Sequence, residues 1–99
     1  MFDFQKLDVY KKAKIQYKNI SRLIDSKIFS KTVKDQLTRA SLSTLLNIAE
    51  GTGRMSKASR RNFYVIARGS VFECVAIIEI MNEENLIDND LYIDIFNEY

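Results

Sequence analysis

The sequence predicts an all-α fold: an antiparallel, up-down four-helix bundle with a short last helix. Three observations carry this. The 99 residues hold no proline and three glycines, Gly51, Gly53 and Gly69. So few turn-formers argue against a many-stranded β fold and for a few long helices. Apolar residues recur at intervals of three and four over long stretches, the period of a helix with a buried face. The length suits one domain, residues 1–99, and a hydrophobic share of 46% supplies its core.

The first helix is predicted from about Leu7 to Ile24. Tyr10, Ala13, Tyr17, Ile20 and Ile24 share one side of it. Lys11, Lys14, Lys18 and Arg22 fall within a sector of roughly 80° away from that stripe, which makes a basic outer ridge. Asp25 to Ser30 reads as a loop, with Ile28 and Phe29 turned inward and Ser30 placed to cap the next helix.

The second helix is predicted from about Lys31 to Glu50, stopping at Gly51 in the C-terminal glycine position. Val33, Leu37, Ala40, Thr44, Leu45 and Ile48 form one apolar side; Leu42, Leu46 and Ala49 form a second strip. Between them runs a polar ridge of Gln36, Arg39, Ser43, Asn47 and Glu50. Apolar surface on two sides implies two sets of neighbours.

The third helix is predicted from about Lys57 to Glu84, capped by Ser56 or Ser59. Phe63, Ile66, Ala67, Ser70, Cys74, Ile77, Ile78 and Met81 make its core face, with Glu73 at the edge. Lys57, Arg60, Arg61, Tyr64 and Arg68 make its first half basic, and Glu79, Glu83 and Glu84 make its second half acidic. Asp88 can cap a last helix carrying Leu91, Ile95, Phe96 and Tyr99. At about three turns it is too short to cover its share of the core, which points to a truncated chain or a partner chain.

The net charge of +2 conceals an asymmetry. Residues 1–34 carry net +6, residues 35–68 net +4, and residues 69–99 net −8. The chain either folds back so that these compensate or presents one basic and one acidic region. No stretch reaches the roughly 18 apolar residues of a membrane span, and the N-terminus lacks a signal-peptide layout. One cysteine, Cys74, cannot form an internal disulfide, compatible with a reducing cytoplasm.

Chemistry is sparse. The absence of histidine excludes Ser-His and Cys-His nucleophile arrangements and most zinc or iron sites. Cys74 lies on the apolar face of the third helix and reads as a core thiol. Asp88, Asp90 and Asp94 lack the spacing of a calcium loop, so no metal is expected. Gly51-Thr52-Gly53-Arg54 has no preceding strand and no Gly-Lys-Ser/Thr ending, so it reads as a helix–helix turn and not as a phosphate loop. Arg54, Lys57, Arg60 and Arg61 still surround the start of the third helix, an arrangement suited to an anion. Asn47, Glu50 and Glu73 could be cast as a carboxylate pair with a helper. The stronger reading joins Gln36, Arg39, Ser43, Asn47, Glu50, Ser70 and Glu73 in a structural polar network that aligns the helices, with Arg39 or Arg54 as charge partner.

The functional signal is the two basic ridges: Lys11, Lys14, Lys18 and Arg22, and Arg54, Lys57, Arg60, Arg61 and Arg68 with Tyr64. Such ridges attract phosphate backbones without reading bases. The alternative is an ordinary solvated helix face partly neutralised by the acidic last third.

The segments Gln36-Leu37-Thr38-Arg39-Ala40, Asn47-Ile48-Ala49-Glu50-Gly51-Thr52-Gly53-Arg54-Met55-Ser56, and Phe63, Ala67, Gly69-Ser70 and Glu73 carry a resemblance, as does the opening from Phe4 to Ala13. The chain resembles, over nearly its whole length, the bacterial four-helix-bundle proteins encoded in intervening sequences of 23S ribosomal RNA genes. That family usually has a proline shortly before the Asn, where this chain has Leu45, and a longer last helix. The resemblance implies a four-helix bundle assembling into a closed ring, typically a pentamer. It also implies kinship with nucleic-acid-binding accessory proteins that sit beside the reverse transcriptase of diversity-generating retroelements. The expectation is a non-enzymatic, cytoplasmic homo-oligomer that needs no cofactor and binds RNA or DNA. The alternative is a scaffold docking a partner protein, such as a reverse transcriptase.

Overall fold

A computed structural model describes residues 2–26 and 29–84. Among these the protein is all-helical, with no strand: a 3-10 turn, Asp3–Lys6, then α1 (Asp8–Ser26), α2 (Lys31–Thr52) and α3 (Lys57–Glu83). The fourth helix expected after Asp88, and the inward position expected of Ile28, lie outside the described residues.

Leu7 opens α1. Its backbone is extended (φ −72°, ψ 131°), and its carbonyl accepts from the Lys11 N–H at 3.1 Å. The helix runs to Ser26, so Asp25 is helical and not part of the loop. Ser30 caps α2 by accepting from the Val33 N–H at 3.2 Å, and Ser56 caps α3 by accepting from the Ser59 N–H at 3.1 Å.

Gly51 does not end α2. The helix continues to Thr52, and Gly53 is the C-cap, at φ −79°, outside the left-handed region. Gly51 is buried where α2 meets α3. A Cβ there would stand 2.8 Å from Tyr64 Cε1 and 3.0 Å from Phe63 Cβ. The residue is small for close approach and not for backbone conformation. Thr52 Oγ1 and the Tyr64 hydroxyl, 2.9 Å apart, tie the same crossing.

α2 is the central element: α1 and α3 each pack on it, while the α1 and α3 backbones stand apart. The core falls into two clusters. One joins Ile20, Leu23 and Ile24 of α1 with Phe29, Leu37, Ala40, Cys74, Ile78 and Met81. The other holds Ala13, Leu45, Ile48 and Ala67, with Leu7, Tyr10 and Leu42 packed against it. Four buried polar residues, Gln16, Ser41, Thr44 and Ser70, accompany these apolar clusters.

Ile66 is exposed, contrary to its expected place on the α3 core face. It sits about 80° from Cys74 around the helix, at the edge of the buried sector. The second strip of α2 has a neighbour in the N-terminal segment. Leu46 and Ala49 line a groove of about 640 Å³ with Phe2, Asp3 and Phe4. That segment is held by ring contacts, Phe2 stacked on Phe4 and Phe4 edge-on to Tyr10, and by the Phe2 N–H donating to Gln5 Oε1 at 2.7 Å.

Candidate nucleic-acid interface

Lys11, Lys14, Lys18 and Arg22 stand exposed on α1, on the side turned away from buried Ala13, Ile20 and Ile24. From Lys11 to Arg22 the ridge spans about 16 Å at 1.5 Å per residue. The ion pairs among the described residues are Lys31–Asp35, Arg39–Glu73 and Arg54–Glu50, so none of the four ridge cations pairs with a described carboxylate.

The second ridge is less uniform. Lys57, Arg60, Arg61, Tyr64, Val65 and Arg68 line a shallow concavity of about 370 Å³ on α3. Within it Arg60 is half-buried, and its Nη1 donates to the carbonyls of Arg54 at 3.1 Å and Met55 at 3.4 Å. Arg60 therefore ties the α2–α3 loop to α3. Arg54 is paired with Glu50 at 3.3 Å and lies 4.6 Å from the centre of the Phe63 ring. Arg68 sits 5.1 Å from the Phe72 ring centre. Lys57 and Arg61 are exposed and take part in none of the three ion pairs.

The polar residues of α2 and α3 occupy one seam. Arg39 pairs with Glu73 across it and also donates to Gln36 Oε1 at 3.0 Å. One layer on, the Ser70 hydroxyl donates to Ser43 Oγ at 2.9 Å. Asn47 bonds within its own helix, donating to the Ser43 carbonyl and hydroxyl. Glu50 faces Arg54 at the loop. Glu73 and Glu50 are thus held by arginines at opposite ends of the seam. Arg39, the partner of Glu73, lies 11 residues before Glu50, roughly 16 Å along α2. The two carboxylates do not form an acid–base pair. No group of three His, Cys, Asp or Glu side chains among the described residues could hold a metal ion. No described helix is long and apolar enough to cross a membrane.

With this seam and its Asn47–Arg54 turn in view, the comparison with known proteins is specific. A family model described as 23S rRNA-intervening sequence protein matches residues 5–99. The chain belongs to that family. Among curated proteins nothing matches it. In this structure the segment from Asn47 to Arg54 is mainly architectural. Gly51 admits the α3 rings, Gly53 ends α2, and Arg54 and Glu50 hold the turn between them.

One cation that charge spacing leaves out emerges from the packing. Lys12 lines a groove of about 590 Å³ between α1 and α3, opposite Tyr64 and Arg68. It lies about 100° around the helix from Lys11 and off the ridge, so only the placement of α3 reveals it.

Proposed function

We propose that this 23S rRNA-intervening sequence protein is a non-enzymatic, cytoplasmic homo-oligomer that binds the backbone of RNA or DNA. The observation that carries the reading is the α1 ridge: Lys11, Lys14, Lys18 and Arg22, all exposed and none paired with a carboxylate among the described residues. Four such cations neutralise phosphates and release counterions, so affinity depends on salt and little on sequence. Lys12 with Arg68 across the α1–α3 groove extends the basic surface. In this reading a fourth helix, expected after Asp88, completes a four-helix bundle. A ring, with five copies as the family resemblance implies, is the assembly. The apolar groove under Phe2 and Phe4, with Leu46 at its floor, favours the second reading, a scaffold that docks a partner protein.

Fluorescence anisotropy with labelled duplex DNA and single-stranded RNA tests the leading reading. On duplex DNA, log affinity should fall with log salt at a slope of about −3.6 for the four α1 contacts alone, and more steeply with those of α3. Alanine at Lys11, Lys14, Lys18 and Arg22 should flatten the slope toward the contribution of α3. No binding at low salt, or binding indifferent to those substitutions, refutes it; pull-down surviving nuclease treatment then favours the scaffold.

A further inference from the structure

α3 carries a second apolar seam nearly opposite its buried one. Val65, Phe72 and Ile80 are 57%, 59% and 49% exposed; Phe72 stands where this seam borders the α1–α3 groove, with Arg68 beside its ring. At 100° per residue, Ala58, Val65, Gly69, Phe72, Ala76 and Ile80 fall within a sector of about 80°. The buried Ala67, Ser70, Cys74, Ile78 and Met81 lie on the other side. The spacing of the outer seam is close to that of a heptad stripe, which on a helix surface marks a packing face. Gly69 leaves a gap in it, since a Cβ there would meet nothing within 4 Å.

Charge identifies what fits. Lys57, Arg61 and Arg68 flank the first half of α3, and Glu79, Glu83 and Glu84 flank the second. Two copies of this helix laid parallel would set like charge against like. Laid antiparallel, each basic half meets an acidic half. We propose that the outer face of α3 pairs antiparallel with the same face of a second copy of the chain, about a two-fold axis passing between Gly69 and Phe72. In that register Phe72 of each copy enters the gap at Gly69 of the other, and Val65 lies across from Ala76. Large residues then oppose small ones along the seam, and Arg61 runs beside Glu79 and Glu83 of the second copy. The contact is isologous and closes at two copies; a ring needs a further, heterologous surface. The pairing rests on the self-association proposed above. It engages Lys57 and Arg61 and leaves the α1 ridge open.

Cysteine cross-linking tests the register. Val65→Cys with Ala76→Cys, in a Cys74→Ala background, places thiols that face each other only between antiparallel copies. Within one chain they lie about 16 Å apart on a helix, too far to bridge. Mild oxidation should give a covalent dimer, and Phe72→Glu should lower the mass seen by light scattering while leaving helicity by circular dichroism unchanged. An assembled protein that gives no 65–76 cross-link and keeps its mass with Phe72→Glu overturns the pairing but leaves self-association standing. A wild-type monomer at micromolar concentration overturns both.

Discussion

Replacing Gly51 by alanine separates close packing from helix propensity, because the two act in opposite directions there. In a helix interior, alanine in place of glycine adds about 0.5–1 kcal/mol. At Gly51 the new methyl would stand 2.8 Å from Tyr64 Cε1 and 3.0 Å from Phe63 Cβ. The far edge of the tyrosine ring can swing aside. Phe63 Cβ is fixed to the α3 backbone, so relief requires α2 and α3 to move apart by a few tenths of an ångström. Overpacking of this kind costs about 1–3 kcal/mol. The net expectation for Gly51→Ala is a loss of roughly 1–2 kcal/mol. Gly69 is the internal control: it lies mid-helix and within one chain a Cβ there meets nothing, so in the dissociated chain Gly69→Ala should gain about 0.5–1 kcal/mol. Urea unfolding followed by circular dichroism, at concentrations where the midpoint no longer shifts on dilution, should separate the two variants by about 2 kcal/mol. In a domain of this size each kcal/mol moves the melting temperature by roughly 4–8 °C. Tyr64→Leu added to Gly51→Ala should recover part of the loss by removing the ring. If Gly51→Ala proves as stabilising as Gly69→Ala, close approach is not what keeps this position glycine.

Three further predictions follow from the caps, the seam and the core. Ser56→Ala removes the acceptor for the Ser59 N–H and should cost about 1 kcal/mol in the same unfolding assay. A double-mutant cycle of Arg39→Ala and Glu73→Ala should give a coupling of about 0.2–1 kcal/mol, shrinking with salt, because both side chains are partly in water. Buried Cys74 should resist a thiol reagent in the native protein and react at the rate of unfolding; fast modification of the folded protein would contradict its place in the core.

The helices were legible in the sequence because their signals are local. The serines at 30 and 56, the apolar spacing of Ala13, Ile20 and Ile24, and the run from Lys57 onward depend on neighbours within a turn or two. Gly51 was misplaced for the opposite reason. Glycine near a helix end signals a cap, and only the presence of Tyr64 and Phe63 across the crossing shows that here it serves packing. The basic surface shows the same division. Charge spacing finds the α1 ridge and the α3 cluster. It cannot show that Arg60 is spent on loop carbonyls, that Arg54 is paired, or that Lys12 faces Arg68. Those facts depend on how two helices and a loop lie against one another.

The buried hydroxyls have a consequence for how the helices come together. Thr44 donates to the Ala40 carbonyl and Ser41 to the Thr38 carbonyl, each within its own helix. Such bonds form as soon as the helix does, so docking strips little water from groups still in search of partners. These internal bonds leave the hydroxyls little say in which surface a helix meets. Alignment of α2 on α3 falls instead to the Ser43–Ser70 contact, the Arg39–Glu73 pair and the close approach at Gly51. The Ser41 and Thr44 hydroxyls are thus satisfied before α2 meets its neighbours, and the helices are keyed together at a few points along one edge.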